Sequence, residues 1–449
     1  MSESADSSIS PASIVCKNVK LFELWANEVH CGPLPPQLAA VDPEALPEPL
    51  LAMVKESKKL PKWVFDENSD FYRRFKLVGR RISMPKFIAR PDTNAEEPSD
   101  PITAELLVHA LPHVVFISNQ HRKLLKPGDA HFVNETSLRI PIDRLTSHVC
   151  EEELETDRFI ARLDCRLRLP STEAVQIDGC TAGSVAFFCS PSLPIEMFSS
   201  ELREGLVCTS AEPQLLEYVH WVTDYRQADM AEVCRKVCYG MVSSLWQRRA
   251  LGRMNDFVFG TGLAGHSLTV YAAQWETMEW LTEPGDVSSP NVAAEANRTT
   301  LDEPGSSEPT RVGPTISQSR SASAKKTETT PWKINSQAGD PRERHQIKIY
   351  KIGEYTTLDA VQMTEYYLLL RASIGMANGY LGEVLSDTGL AEKVKAHAKA
   401  FGWPFPPKPT TKSHTNSASR QDTEFISEEL DASGSYQAPC VADPVKEAT

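Results

Sequence analysis

Residues 214–260 read QLLEYVHWVTDYRQADMAEVCRKVCYGMVSSLWQRRALGRMNDFVFG, and their pattern changes period twice. Gln214–Trp221 is rich in aromatic and β-branched residues, which suits a strand. From Asp229 to Ala250, Met230, Val233, Cys234, Val237, Met241, Leu245 and Trp246 share one helical stripe. Trp246 on that stripe is expected to be buried against a sheet. β character resumes at Asp256–Gly260. A strand, a long amphipathic helix and another strand in succession point to a mixed α/β fold.

The same period test extends the pattern in both directions. Upstream, Arg158–Leu169 alternates: Phe159, Ala161, Leu163, Cys165, Leu167 and Leu169 on one side, Arg158, Arg162, Arg166 and Arg168 on the other. Ser184–Cys189 is a further strand. Downstream, Ser267–Trp275 and Gln346–Tyr355 are strands, and Leu358–Leu385 is a long helix with Asp359 near its start. The expected order is three strands, a helix, two strands, an insertion, a strand and a helix. Residues 13–30 space Val15, Val19, Phe22 and Trp25 in a near-helical way, and Leu106–Ser118 should break at Pro112 before a β-rich VVFI.

Three segments are too poor in large apolar groups to offset the entropy of ordering: 1–12, 285–345 and 403–449. Between them the map places a mixed α/β region at 13–150, the first part of the core at 151–284, and its last strand and C-terminal helices at 346–402. The 285–345 insertion then reads as a loop within one sheet.

The chain has 449 residues, with 47 Lys+Arg against 60 Asp+Glu, a net charge of −13. That balance excludes a general nucleic-acid coat but leaves room for a local basic groove. No secretory signal and no apolar run long enough for a membrane span is visible, so cytoplasm or nucleus is expected, with no membrane partner. The ten cysteines carry no CxxC pair and are expected to be free thiols in a reducing compartment. Cys234 and Cys238, four apart on the helix, read as core thiols for want of further ligands.

Gly260-Thr261-Gly262-Leu263-Ala264-Gly265 matches G-x-G-x-x-G. It lacks the following βα units of a dinucleotide fold and the lysine-bearing strand of a kinase, so it reads as a hairpin turn. Basic residues cluster at Arg73, Arg74, Lys76, Arg80 and Arg81; at His121, Arg122, Lys123 and Lys126; and at Arg248, Arg249 and Arg253. Such clusters serve nucleic acid as the expected partner, or are solvated faces, in which case the partner is a protein.

The carboxylates carry the sharper idea. Asp178 stands ahead of the 184–189 strand and Glu217 lies within 214–221. On adjacent strands they could ligate Mg²⁺, which takes oxygen ligands and keeps waters for hydrolysis. This is the pattern of PD-(D/E)xK nucleases, except that Val219 stands where the lysine belongs. His220 or Lys236 would have to supply its charge; Glu217 read plainly is one polar residue in a strand.

Val242–Gly252 (VSSLWQRRALG), followed by β-rich sequence, a low-complexity break and IKIYKIGEY, resembles basidiomycete fungal proteins with a PD-(D/E)xK-like fold, over about residues 158–385. The resemblance implies a three-layer α/β/α restriction-endonuclease-like core with a helical N-terminal region, descended from a mobile-element or defence nuclease. Its catalytic residues would be Glu217 and Lys236, its metal ligands Asp178 and Glu217, and its cofactor Mg²⁺. The leading expectation is a degenerate domain used for binding. The alternatives are an active Mg²⁺-dependent nuclease with a relocated lysine and a structural scaffold unrelated to nucleic acid.

Overall fold

A computed structural model describes residues 11–35, 41–70, 72–74, 101–125, 135–152, 158–170, 172, 175–210, 213–226, 229–277 and 345–401. In chain order, helices α1 (Pro11–Lys17), α2 (Val19–Glu28), α3 (Glu48–Ser57), α4 (Pro101–Leu124) and α5 (Glu135–Glu151) precede strands β1 (Phe159–Arg168) and β2 (Gly179–Pro194). The short helix α6 (Ser200–Leu206) leads to β3 (Leu215–Arg226), then α7 (Met230–Ala250), β4 (Val258–Ala264), β5 (Ser267–Thr277) and β6 (His345–Thr356). Helices α8 (Ala360–Ser386) and α9 (Leu390–Phe401) follow. The six strands form one sheet in sequence order, and the succession of strands and helices is the one the period changes predict. The segments judged unable to fold lie outside the described residues, apart from Pro11 and Ala12 in α1 and His345 at the start of β6.

Neighbouring strands are antiparallel except β3 and β4, which run parallel because a helix rather than a tight turn joins them. Asp229 caps that helix, α7, by accepting from the Glu232 amide at 3.0 Å. Helix and sheet approach closely: a Cβ on Gly240 would come within 2.5 Å of a Val222 methyl, and one on Gly260 would meet Val237 and Met241. The next side chain along β3, Trp221, faces the other way and meets Tyr366 of α8 edge-on at 6.3 Å. Helices therefore cover both faces of the sheet.

The glycine-rich motif is mostly strand. Gly260 and Gly262 lie within β4, and only Gly265, at φ +59°, occupies the two-residue turn between paired Ala264 and Ser267. No helix among the described residues is long and apolar enough to cross a membrane.

Three local expectations fail for identifiable reasons. Leu106–Ser118 is one helix through Pro112, because Leu107, Val108, Leu111, Val114 and Val115 are buried at helical spacing and that burial outweighs the proline's conflict with its preceding turn. Trp246 is only half-buried, at the rim: it donates to the Val29 carbonyl at 3.3 Å and sits edge-on to Trp275.

Alternation also breaks along β1. Phe159 and Ala161 pack in the core on the α8 side, whereas Cys165 and Leu167 pack with Val185, Phe187 and Val222 on the α7 side. Asp164 lies between them at φ +48°, a left-handed backbone that turns the strand over. Arg139 of α5 holds it in an ion pair at 2.6 Å.

Thr277 pairs with His345, so the chain leaves and re-enters the sheet at neighbouring points. Replacing residues 285–340 by a short Gly/Ser linker is expected to leave the melting temperature unchanged or slightly raised, since loop closure costs only about 0.6 kcal/mol per doubling of length. Thermal denaturation checks this, and a fall of many degrees contradicts it.

Candidate functional site

The structure does not bring Asp178, Glu217 and Lys236 together. Glu217 sits opposite Cys189 near the far end of β2, while Asp178 immediately precedes Gly179 at its beginning. At about 3.3 Å per residue, those eleven positions span on the order of 35 Å of strand. Asp178 is exposed and pairs with Arg166 at 3.2 Å. Lys236, in the second turn of α7, reaches Asp224 at 3.7 Å, seven positions beyond Glu217 on β3. A shared Mg²⁺ does not fit Asp178 and Glu217. Among the described residues, no three His, Cys, Asp or Glu side chains converge as ligands.

Glu217 is buried, and Arg162 of β1 takes both its oxygens in a two-pronged hydrogen bond, Nη1 to Oε2 at 2.7 Å and Nη2 to Oε1. The guanidinium also lies 5.1 Å from the centre of the Phe187 ring. Arg162, alternating with Ala161, faces the α7 side, and the left-handed Asp164 brings Cys165 to that same side. Val219, at the place of the nuclease lysine, packs with Val222 and Cys208 and offers no charge.

His220 is the extra residue of a β-bulge, since Phe187 pairs with Val219 and Ala186 with Trp221. Its ring meets Phe188 and Phe259 at 5.9 and 5.1 Å. Burial, aided by the charge of Arg248, pushes its pKa down to about 3.

The charge cluster that sequence reasoning missed is at the C-terminal end of β3. Asp224 and Arg226, two apart, form an acid-x-base pattern just past Trp221, where the expected strand ended and the observed one continues to Arg226, seven positions beyond the carboxylate chosen. Burial, opposed by Lys236, pushes Asp224 up to about 6. Arg226 pairs with Glu232 of α7 at 2.9 Å and Glu135 of α5 at 3.2 Å. On the neighbouring Tyr225, the hydroxyl donates to Asp143 at 2.5 Å, and Asp143 is also held by Arg139. The signal for this cluster was the D-x-R spacing at the strand's end.

Of the three basic clusters, the one at Arg248–Arg253 is largely committed within the fold. Arg248 is fully buried against the Phe188 and Tyr218 rings, and Arg249 lies 4.9 Å from the centres of both Trp246 and Trp275. Arg253 pairs with Asp256 and Glu383. That cluster is therefore interior, not a nucleic-acid surface. His121 is buried too, bonded to Thr357 and the Leu138 carbonyl, whereas Arg73 is exposed beside Asp70. Lys76, Arg80, Arg81 and Lys126 lie outside the described residues. A cavity of about 190 Å³ between α4 and α5, lined by Pro112, His113, Phe116, Pro141 and Arg144, contains none of the candidate carboxylates. No protein-family model matches the sequence, and no curated protein matches it.

Removing Glu217 alone should destabilise the fold by about 1–3 kcal/mol, less than the roughly 3–5 kcal/mol of a fully buried pair because Arg162 is 38% exposed. A double-mutant cycle with Arg162→Ala, read by urea denaturation, should return a favourable coupling. Additive effects contradict the pairing.

His220 also sets a pH dependence. Between about 3 and its ordinary 6.5 the folded chain binds fewer protons at this ring than the unfolded chain, so its contribution to stability is full above 6.5 and lost as pH falls through that window. Asp224 acts oppositely, losing its contribution as pH rises towards about 6. His220→Phe should therefore melt several degrees less steeply with acidification than the wild type between pH 6.5 and 4.5. Parallel melting curves contradict the assignment.

Proposed function

We propose that this chain is a restriction-endonuclease-like domain that has given up phosphodiester hydrolysis and works as a binding module. Two features support the scaffold reading: a helix, three antiparallel strands, a crossover helix and a parallel strand in that order, and helices on both faces of the sheet. The observation that carries the functional reading is the Arg162 fork on Glu217. A carboxylate whose two oxygens accept from a guanidinium has no oxygen placed for a metal. Nuclease chemistry needs a metal-activated water and a charge beside the attacked phosphate. Val219 supplies none, and Lys236 is spent on Asp224. With the Arg248–Arg253 cluster inside the fold and a net charge of −13, a protein partner suits the surface better than nucleic acid.

One observation favours a second reading. Lys236 and Asp224 pair at the end of β3, next to Arg226, where a hydrolytic centre displaced along the strand would stand.

Cleavage of supercoiled plasmid with Mg²⁺ and with Mn²⁺ separates the two. Wild type, Glu217→Ala and Lys236→Ala are all expected to be inactive, and duplex binding should be weak and fall steeply with salt. Wild-type cleavage abolished by Glu217→Ala overturns the proposal. Cleavage that survives Glu217→Ala but not Lys236→Ala establishes the displaced centre.

A further inference from the structure

The segment from α1 to Cys31 lies over α7 and along β6. Trp25 is buried edge-on against Tyr239 of α7, with ring centres 4.5 Å apart. Arg235 of α7 donates to the Cys16 carbonyl at 2.5 Å. At the end of this strap, Cys31 forms a parallel bridge with Ile347, flanked by the Gly32 amide on the Ile347 carbonyl and the Ile347 amide on the His30 carbonyl, both at 2.8 Å. These contacts fix the Cys31 backbone from both sides. Its sulfur lies 3.6 Å from that of Cys238, in the middle of α7. Both residues are buried, 207 positions apart in sequence.

A pair of thiols held in contact by two rigid elements differs from the other cysteines. Cys234, one turn earlier, is engaged by the Tyr271 hydroxyl at 2.7 Å, and Cys16 by the Glu232 carbonyl at 3.2 Å. We infer that Cys31 and Cys238 form a redox-responsive pair, which a low-molecular-weight disulfide converts into a covalent staple between the N-terminal strap and α7. The step balances. The Cys31 thiolate attacks the oxidant's disulfide, forming a mixed disulfide and releasing one thiolate. The Cys238 thiolate then attacks the protein sulfur of that mixed disulfide and releases the second. Two protein thiols are oxidised, two oxidant sulfurs are reduced, and the two protons pass to the released thiolates. The sulfurs must close from 3.6 Å to about 2.05 Å.

The contact with Cys31, together with burial, holds the Cys238 thiol well above its ordinary pKa. Reaction in the folded chain is therefore slow and gated by opening of the strap. The staple would close a very long loop, the case in which a cross-link restricts the unfolded chain most. Oxidation thus adds a covalent lock to a strap that the reduced chain holds over α7 by packing and hydrogen bonds alone.

The test makes accessibility irrelevant. The full-length chain is unfolded and refolded in reduced and oxidised glutathione at several ratios, then trapped, digested and mapped by mass spectrometry. The expected result is one dominant cross-linked peptide, Cys31 to Cys238, lighter by two hydrogens than the separate thiols. The oxidised chain should melt several degrees above the reduced one, and Cys31→Ser or Cys238→Ser should abolish both changes. Free thiols at both positions across the series, pairing to other cysteines, or a cross-link that lowers the melting temperature overturns the inference. The peptide map alone decides the pairing should either variant fail to fold.

Discussion

The close packing of α7 on β3 and β4 is the constraint on which the rest of the structure depends. Two neighbouring strands can run parallel only if the chain returns to the same end between them, and α7 makes that return. With Gly240 over Val222 and Gly260 under Val237, helix and sheet backbones come closer than any side chain would permit. Alanine at either position would force the layers apart, and with them everything α7 holds through its side chains. Gln247 donates to the Leu206 and Glu217 carbonyls at 2.7 Å, and Ser243 to the Arg168 carbonyl at 2.6 Å. The strap over α7 and the Arg162–Glu217 pair on the same side of the sheet both inherit their positions from this contact.

Much of the fold was legible because hydrophobic period reports burial, and burial here follows regular elements. The extent of α7 and the pairing of β5 with β6 across the insertion could both be read from spacing. What could not be read was any place where one residue resets the alternation. Asp164 turns β1 over and the bulge at His220 adds a residue to β3, and a single aspartate or histidine in an alternating stretch does not say that the alternation resets there. The left-handed Asp164 owes its stability to Arg139, twenty-five residues away, an interaction that no local window contains. Pro112 fails in the opposite sense: a strong local rule yields to the burial of the side chains around it.

The candidate site was only partly legible for the same reason. Residue types at the ends of β2 and β3 could be recognised, but their convergence is a matter of register. Asp178 and Glu217 are on paired strands and still far apart because antiparallel pairing places the start of β2 beside the end of β3, where Asp224 stands. The basic cluster at 248–253 misled in another way. Arginine can be buried when its charge is matched by a carboxylate or spread over aromatic faces, and composition alone cannot distinguish that from a surface patch.

The pairing of Arg162 with Glu217 shows how this sheet accommodates a buried carboxylate. A buried carboxylate left alone is costly, so a strand that carries one is destabilised unless a partner takes its charge. A guanidinium reaching across β2 from β1 satisfies both oxygens with fixed geometry and no exchangeable ligand. The acid is then retained for stability, because removing either partner exposes the other to the desolvation it was sheltering from. By these contacts Glu217 is a structural residue, whereas at the other end of β3 a buried Asp224 meets the partly exposed Lys236 beside Arg226.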